Sequence, residues 1–145
     1  MFALLYLQMT RSHSGFLIGK SACGSAAGDY DIDGNPDILV VNLGDRPNLY
    51  RNEGGNGNHW IGFHLIGTRS NRDAIGWRIE IEARGREQMS GIRSGGRYLS
   101  HGDMSVHFGL GSATRSIVSE YAVPTATQEL GGFYPDHYLT IREGK

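Results

Sequence analysis

The sequence holds one cysteine, Cys23, in 145 residues. That excludes an internal disulfide and a zinc site built on several thiolates. A single thiol suits the cytosol and an exported bacterial protein alike, so it does not fix the compartment. A surplus of charge is also missing: the formal net charge is -1. No basic footprint argues for nucleic acid. Prolines number 4 and there is no G-X-Y period, which excludes a collagen-like chain. No segment keeps a helical period. The apolar run Phe2-Ala3-Leu4-Leu5-Tyr6-Leu7 is too short to cross a bilayer. It also lacks the basic flank and small-residue cleavage site of a secretory leader. It reads as a strand remnant or an internal start in a truncated gene, with no membrane insertion expected.

Glycine, by contrast, is abundant: 22 residues, roughly twice the usual share of about 7%. With 39% apolar and 20% charged residues the chain is globular rather than disordered. Many tight turns between short strands are expected.

The text supports that expectation. Ile38-Leu39-Val40-Val41-Asn42 is short and β-branched and predicts a buried strand. Asn48-Leu49-Tyr50-Arg51-Asn52 predicts a second. Glu53-Gly54-Gly55-Asn56-Gly57-Asn58 has linker composition. Beyond it the residues from His59 to Ile66 alternate, as do those from Ile75 to Ile81, where Ile75, Trp77, Ile79 and Ile81 share a face. Further strand-like runs are Gln88 to Ile92, Ser105 to Leu110, Ser116 to Val123 and Tyr138 to Arg142. Turn signals separate them at the spacing of a sandwich or barrel. The fold expected is all-β.

Acidic residues cluster. Four of the 15 lie in Asp29-Tyr30-Asp31-Ile32-Asp33-Gly34-Asn35-Pro36-Asp37. Asp stands at loop positions 1, 3, 5 and 9, and Gly at position 6. Calcium takes six to eight oxygens, and Asp at alternate positions of a curling backbone turns successive carboxylates inward. Gly34 allows the sharp turn because it tolerates positive φ. The main-chain carbonyl of Asn35 is a further candidate ligand, and Asp37 closes the shell. An Asx-stabilised surface turn would explain one or two of these Asp with the Gly, but not four in register. The candidate Ca2+ ligands are Asp29, Asp31, Asp33, Asn35 and Asp37. This is no EF-hand: Val40 stands where the bidentate Glu would be, and a strand-like run follows. Magnesium fits less well, since it retains waters and takes few carboxylates.

Other constellations carry less. Gly54-Gly55-Asn56-Gly57-Asn58 resembles one turn of the calcium nonapeptide repeat in a single copy, which reads as linker. The histidines His13, His59, His64, His101, His107 and His137 show no helical zinc pairing. Ser100-His101-Gly102-Asp103 supplies hydrolase residue types, but sequence adjacency does not make a triad, and no G-x-S-x-G elbow exists. No catalytic residue is assigned. Trp60, Trp77, Tyr98, Phe108 and Tyr121 are expected in the core or on a sheet face; a carbohydrate platform is the alternative.

The stretch from Ala26 to Val40 resembles an FG-GAP/VCBS repeat, the blade unit of integrin-like β-propellers. In that family a DxDxDGxxD loop between two strands binds calcium. By that likeness Asp29, Asp31, Asp33 and Asp37 give side-chain oxygens and Asn35 a carbonyl. Asn58-His59-Trp60-Ile61, the run from Gly67 to Gly76, Tyr98-Leu99-Ser100 and His107-Phe108-Gly109-Leu110-Gly111 resemble the ASPIC/UnbV domain. That domain follows such repeats in proteins akin to cartilage acidic protein and in bacterial exported proteins. Two departures stand out. Trp77 replaces a small residue, and Val123-Pro124-Thr125-Ala126 replaces a Trp-Pro-Ser-Gly turn.

The resemblance implies an unassigned segment 1–21, a repeat with a calcium loop over 22–57, and a small antiparallel β-sandwich over 58–145. It implies a secreted or cell-surface protein (periplasmic or extracellular in a bacterium), and no enzyme activity. The role expected is adhesion or scaffolding, with a protein or glycan partner, in the C-terminal part of a longer propeller protein. A carbohydrate-binding module, or the accessory domain of an enzyme lying N-terminal to it, are the alternatives. Calcium affinity is expected at about 10⁻⁴ to 10⁻³ M or somewhat tighter.

Overall fold

A computed structural model describes residues 21–54, 57–95, 101–122 and 126–144. The Phe2 to Leu7 run, the centre of the glycine-rich linker, Tyr98-Leu99-Ser100 and Val123-Pro124-Thr125 lie outside the described residues.

Every regular element among the described residues is a strand. The first three are β1 (Ala22–Gly28), β2 (Asp37–Asn42) and β3 (Asn48–Tyr50), joined in an antiparallel meander. The acidic loop is the β1–β2 connection, as its turn chemistry predicts. The small residues of β1 were not legible as a strand, because Cys-Gly-Ser-Ala-Ala-Gly has neither β-branching nor alternation. β2 is less buried than its composition predicts. Leu39 faces Leu49 across the β2–β3 ladder and Ala26 across β1–β2. Leu39, Val41 and Leu49 are 39%, 44% and 50% exposed. No described layer covers that face.

The remaining strands form a sandwich. β4 (His59–Ile66), β5 (Arg78–Ala83), β6 (Arg86–Gly91), β7 (Val106–Gly111), β8 (Ser116–Ala122), β9 (Ala126–Phe133) and β10 (His137–Arg142) divide between two sheets. One has the order β10-β4-β7, the other β6-β5-β8-β9. The alternation in β4 and β5 places Ile61, Phe63 and Leu65 against Ile79, Ile81 and Ala83. Val106, Phe108 and Leu110 of β7 join the same cluster, and Phe63 meets Phe108 edge to face. Trp77 is 1% exposed and donates from its indole to Ser70 Oγ at 3.2 Å, which satisfies its one polar group. Ile75 falls off the predicted face and is 37% exposed, because the strand begins only at Arg78 after a turn at Gly76. The two-residue connection Arg84-Gly85 has φ of 53° and 71°, the double positive φ of a type I′ hairpin.

One pairing corrects the antiparallel expectation. β10 lies parallel to β4, with Tyr138 opposite Gly62 and Ile141 opposite Leu65. Parallel neighbours need a long connection. Here it runs through the whole second sheet and returns across Tyr134 to Asp136. The sandwich is therefore mixed. Every residue of the core cluster lies at Ile61 or beyond, so the N-terminal meander adds nothing to it. The meander meets the sandwich through its loop and the end of β1, where the Asp103 N–H donates to the Ala27 carbonyl.

Candidate metal centre

Asp29 follows directly on β1, and Asp37 opens β2 opposite Gly28. The ladder thus fixes the two ends of the loop. Asp29 Oδ1 accepts the Asp33 N–H at 3.0 Å, and its Oδ2 accepts the Gly34 N–H at 2.8 Å. Asp37 is 2% exposed. Its Oδ2 takes the Tyr30 N–H at 3.2 Å and its Oδ1 the Asn52 N–H at 2.7 Å. These bonds curl the loop so that Asp31 faces the other two. Gly34 has φ of 87°, the conformation expected of it. Ile32 has φ of 60°, which a β-branched residue adopts at a cost.

One carboxylate oxygen each from Asp29, Asp31 and Asp37 lies within 4.8 Å of the others. Like charges so spaced repel by about 1 kcal/mol per pair in bulk water and several times more at an effective dielectric near 20. Two ligands on opposite sides of one calcium ion, each about 2.4 Å from it, stand about 4.8 Å apart. The spacing therefore suits a shared divalent ion. Asp31 supplies the decisive detail. Its Oδ2 accepts from Arg51 Nε at 2.8 Å, while its Oδ1 is buried without a hydrogen-bond partner. A buried carboxylate oxygen left bare is costly, and a cation in the cluster would satisfy it. The donor set is all hard oxygen, which fits calcium.

Asp33 and Asn35 stand differently. Asp33 Oδ1 accepts from the Asn35 N–H at 2.8 Å and from Asn35 Nδ2 at 3.0 Å. Asp33 Oδ2 lies 3.7 Å from Arg51 Nη2. The geometry gathers Asp29, Asp31 and Asp37 into one cluster and turns Asp33 toward Asn35 and Arg51.

Four contributors were not legible as parts of the site. Arg51 directly follows β3 and is held further toward its charged form by Asp31. The other three come from the sandwich. Tyr138 on β10 donates its O–H to Asp29 Oδ2 at 2.9 Å. Burial and the Asp29 carboxylate together push this phenol well above its usual range, so it is a permanent donor. His107 on β7 donates from Nε2 to the Gly34 carbonyl at 2.8 Å. Burial lowers its pKa below the usual imidazole value, and the bond to Gly34 and the Asp29 charge oppose that only in part. The neutral ring must then carry its proton on Nε2. Trp60 packs against Gly34, stacks on His107 at 5.3 Å between ring centroids, and tilts against Tyr138 at 5.0 Å. The β4–β7 pairing slips between His59 and Trp60, the kind of irregularity that re-aims a side chain. Sequence separations of 73 and 109 residues for the His107 and Tyr138 bonds leave no local pattern to read.

Beside the cluster lies an open, mostly apolar cleft of about 600 Å³, bounded by Leu39, Leu49, Ile32, His64, Asp103 and Tyr138. It separates the uncovered face of the meander from the sandwich.

The family described as ASPIC and UnbV matches residues 67–145, more than half of the chain. The chain belongs to the ASPIC and UnbV family. The match begins just after β4, although β4 is the central strand of its sheet and fills the family domain's core. It does not extend to residues 22–57, where the acidic loop lies. No curated protein matches the chain. Membership in the ASPIC and UnbV family is compatible with an extracellular accessory module.

Proposed function

We propose that this ASPIC and UnbV chain is a calcium-binding, non-enzymatic adhesion or scaffold module that works outside the cell. The observation that carries the reading is the buried, unpartnered Oδ1 of Asp31, on a carboxylate that clusters with those of Asp29 and Asp37. Asp29, Asp31 and Asp37 would hold the ion. Asp33 and Asn35 would join through a small rotation of the loop, as the FG-GAP/VCBS likeness implies. The ion would supply charge neutralisation and a fixed loop shape. A protein or glycan partner would then meet a rigid surface.

His101 and Asp103, the hydrolase residue types of the sequence, make local contacts. His101 Nδ1 donates to the neighbouring Gly102 carbonyl at 2.6 Å, and Asp103 is engaged by Ser105. Neither arrangement is a nucleophile with a positioned base. The carbohydrate-platform alternative draws no support from Trp77, which is buried in the core. The uncovered Leu39, Val41 and Leu49 suit the stacking of a further blade against β2 and β3, in keeping with a propeller repeat.

The test is calorimetric titration of the full chain with calcium, alongside thermal denaturation. Calcium at about one hundred times its Kd should add about 2.7 kcal/mol of stability. Asp31→Asn should abolish both heat and stabilisation. Asp33→Asn should retain part of each, because Asp33 lies off the cluster. A wild-type chain that gives no heat in millimolar calcium would overturn the reading.

A further inference from the structure

The acidic loop belongs to the meander, yet three side chains of the sandwich hold it. Tyr138 binds a proposed ligand directly, through Asp29 Oδ2. His107 fixes the Gly34 carbonyl, and with it the turn whose Asp33 and Gly34 N–H groups orient the Asp29 carboxylate. Trp60 fills the space beside Gly34. The sandwich is shaped for this grip. Gly62 lies opposite Tyr138 on β4, and a Cβ there would fall 2.1 Å from the tyrosine ring. Only a glycine leaves room for the ring to lie across β4 toward Asp29. His64 stacks on the same ring, with centroids 5.0 Å apart. A second tie, from the Asp103 N–H to the Ala27 carbonyl at 3.3 Å, lies beside the end of β1.

We propose that Tyr138, His107 and Trp60 form the outer shell of the calcium site, so that calcium clasps the meander to the ASPIC and UnbV sandwich. This inference rests on the metal reading given above. Groups that hydrogen-bond to a metal ligand orient it and set its affinity. If docking of the sandwich raises calcium affinity, calcium must raise docking by the same factor. Tyr138 and His107 are positioning residues here, since neither touches the ion. The consequence is a two-part module whose relative orientation depends on the calcium around it. A partner bridging both parts would bind only the loaded form.

The experiment combines calcium titration of the full chain with hydrogen exchange. Tyr138→Phe keeps the ring on Gly62 and removes only the hydroxyl, so the packing survives. It should weaken calcium binding by about tenfold, the lower end of the range for lost outer-shell bonds. His107→Ala should weaken it as well, and His107→Gln, which restores an amide donor near the Nε2 position, should recover most of the loss. In the wild type, calcium should slow amide exchange over residues 101–107 and 134–138, which hold no proposed ligand. Calcium heat with protection confined to residues 28–37, and unchanged affinity in Tyr138→Phe, would overturn the clasp and leave the metal site standing. Absence of heat in the wild type would overturn both.

Discussion

A Cβ placed on Gly34 would lie 1.9 Å from the Trp60 indole, so the turn of the acidic loop is pressed flat against an aromatic ring of the sandwich. Gly34 is therefore required twice, once for its φ of 87° and once for the missing side chain. Gly34→Ala should cost about 1–2 kcal/mol for the left-handed backbone and about 1–3 kcal/mol for the clash. Gly34→Asn separates the two causes. Asn tolerates positive φ, so a loop that needed only the backbone conformation would accept it. Urea denaturation should show Gly34→Asn destabilised about as much as Gly34→Ala.

That pair also marks where the sequence stops being informative. The glycine's backbone role follows from four Asp and a Gly at fixed offsets, all within one turn. The ring against it comes from another module, and nothing near Gly34 in the chain announces Trp60. The same division holds for the fold. β4, β5, β7 and β10 carry their faces as alternation, and Ile61, Phe63, Ile79 and Ile81 are buried as it predicts. β1, all Ala, Gly, Cys and Ser, and β9, Ala-Thr-Gln-Glu-Leu-Gly-Gly-Phe, carry no clear alternation, and they are strands because their neighbours supply a ladder. The parallel placement of β10 is a property of the whole path between β4 and the C-terminus.

Arg51 is the cation already present at the site, 2.8 Å from Asp31 and 3.7 Å from Asp33. It offsets part of the carboxylate repulsion when no ion is bound, and it repels an ion that arrives. Arg51→Ala should therefore tighten calcium binding, by about three- to tenfold at low salt. The gain should shrink in 0.5 M salt, since the guanidinium is half exposed and screening shortens its reach. Calorimetric titrations at two ionic strengths would read both effects. Looser binding in Arg51→Ala would make the arginine a holder of Asp31's geometry rather than a competitor.

Glu143 closes the sandwich at the other end. Its Oε2 accepts the N–H groups of Thr68, Arg69 and Ser70 at 2.8, 2.7 and 2.9 Å. These three donors favour the charged carboxylate and lower its pKa from 4.5 to about 2. A folded-state pKa below the unfolded one contributes stability that is fully present above about pH 4.5. That contribution fades as pH falls toward about 2. Glu143→Gln should lower the melting temperature at neutral pH, and the gap from wild type should close between those two pH values. Paired melting curves across that range check the prediction, and a gap that stays constant would assign the loss to something other than the carboxylate's charge.

Ile32 carries strain that a single substitution should release. Its φ of 60° is left-handed, its side chain is β-branched, and it is 70% exposed, so it makes little packing to compensate. The left-handed conformation costs an L-residue about 1–2 kcal/mol. Glycine removes that cost, while its looser unfolded chain returns about 0.5–1 kcal/mol. The net expectation for Ile32→Gly is a gain of up to about 1.5 kcal/mol without calcium, read by denaturant titration. The exposed isoleucine also borders the cleft beside Leu39 and Leu49. If that cleft seats a partner, Ile32→Gly should weaken partner binding while it stabilises the free chain. A residue that relieves strain when removed, yet costs binding when lost, would be one kept in the loop for contact with a partner.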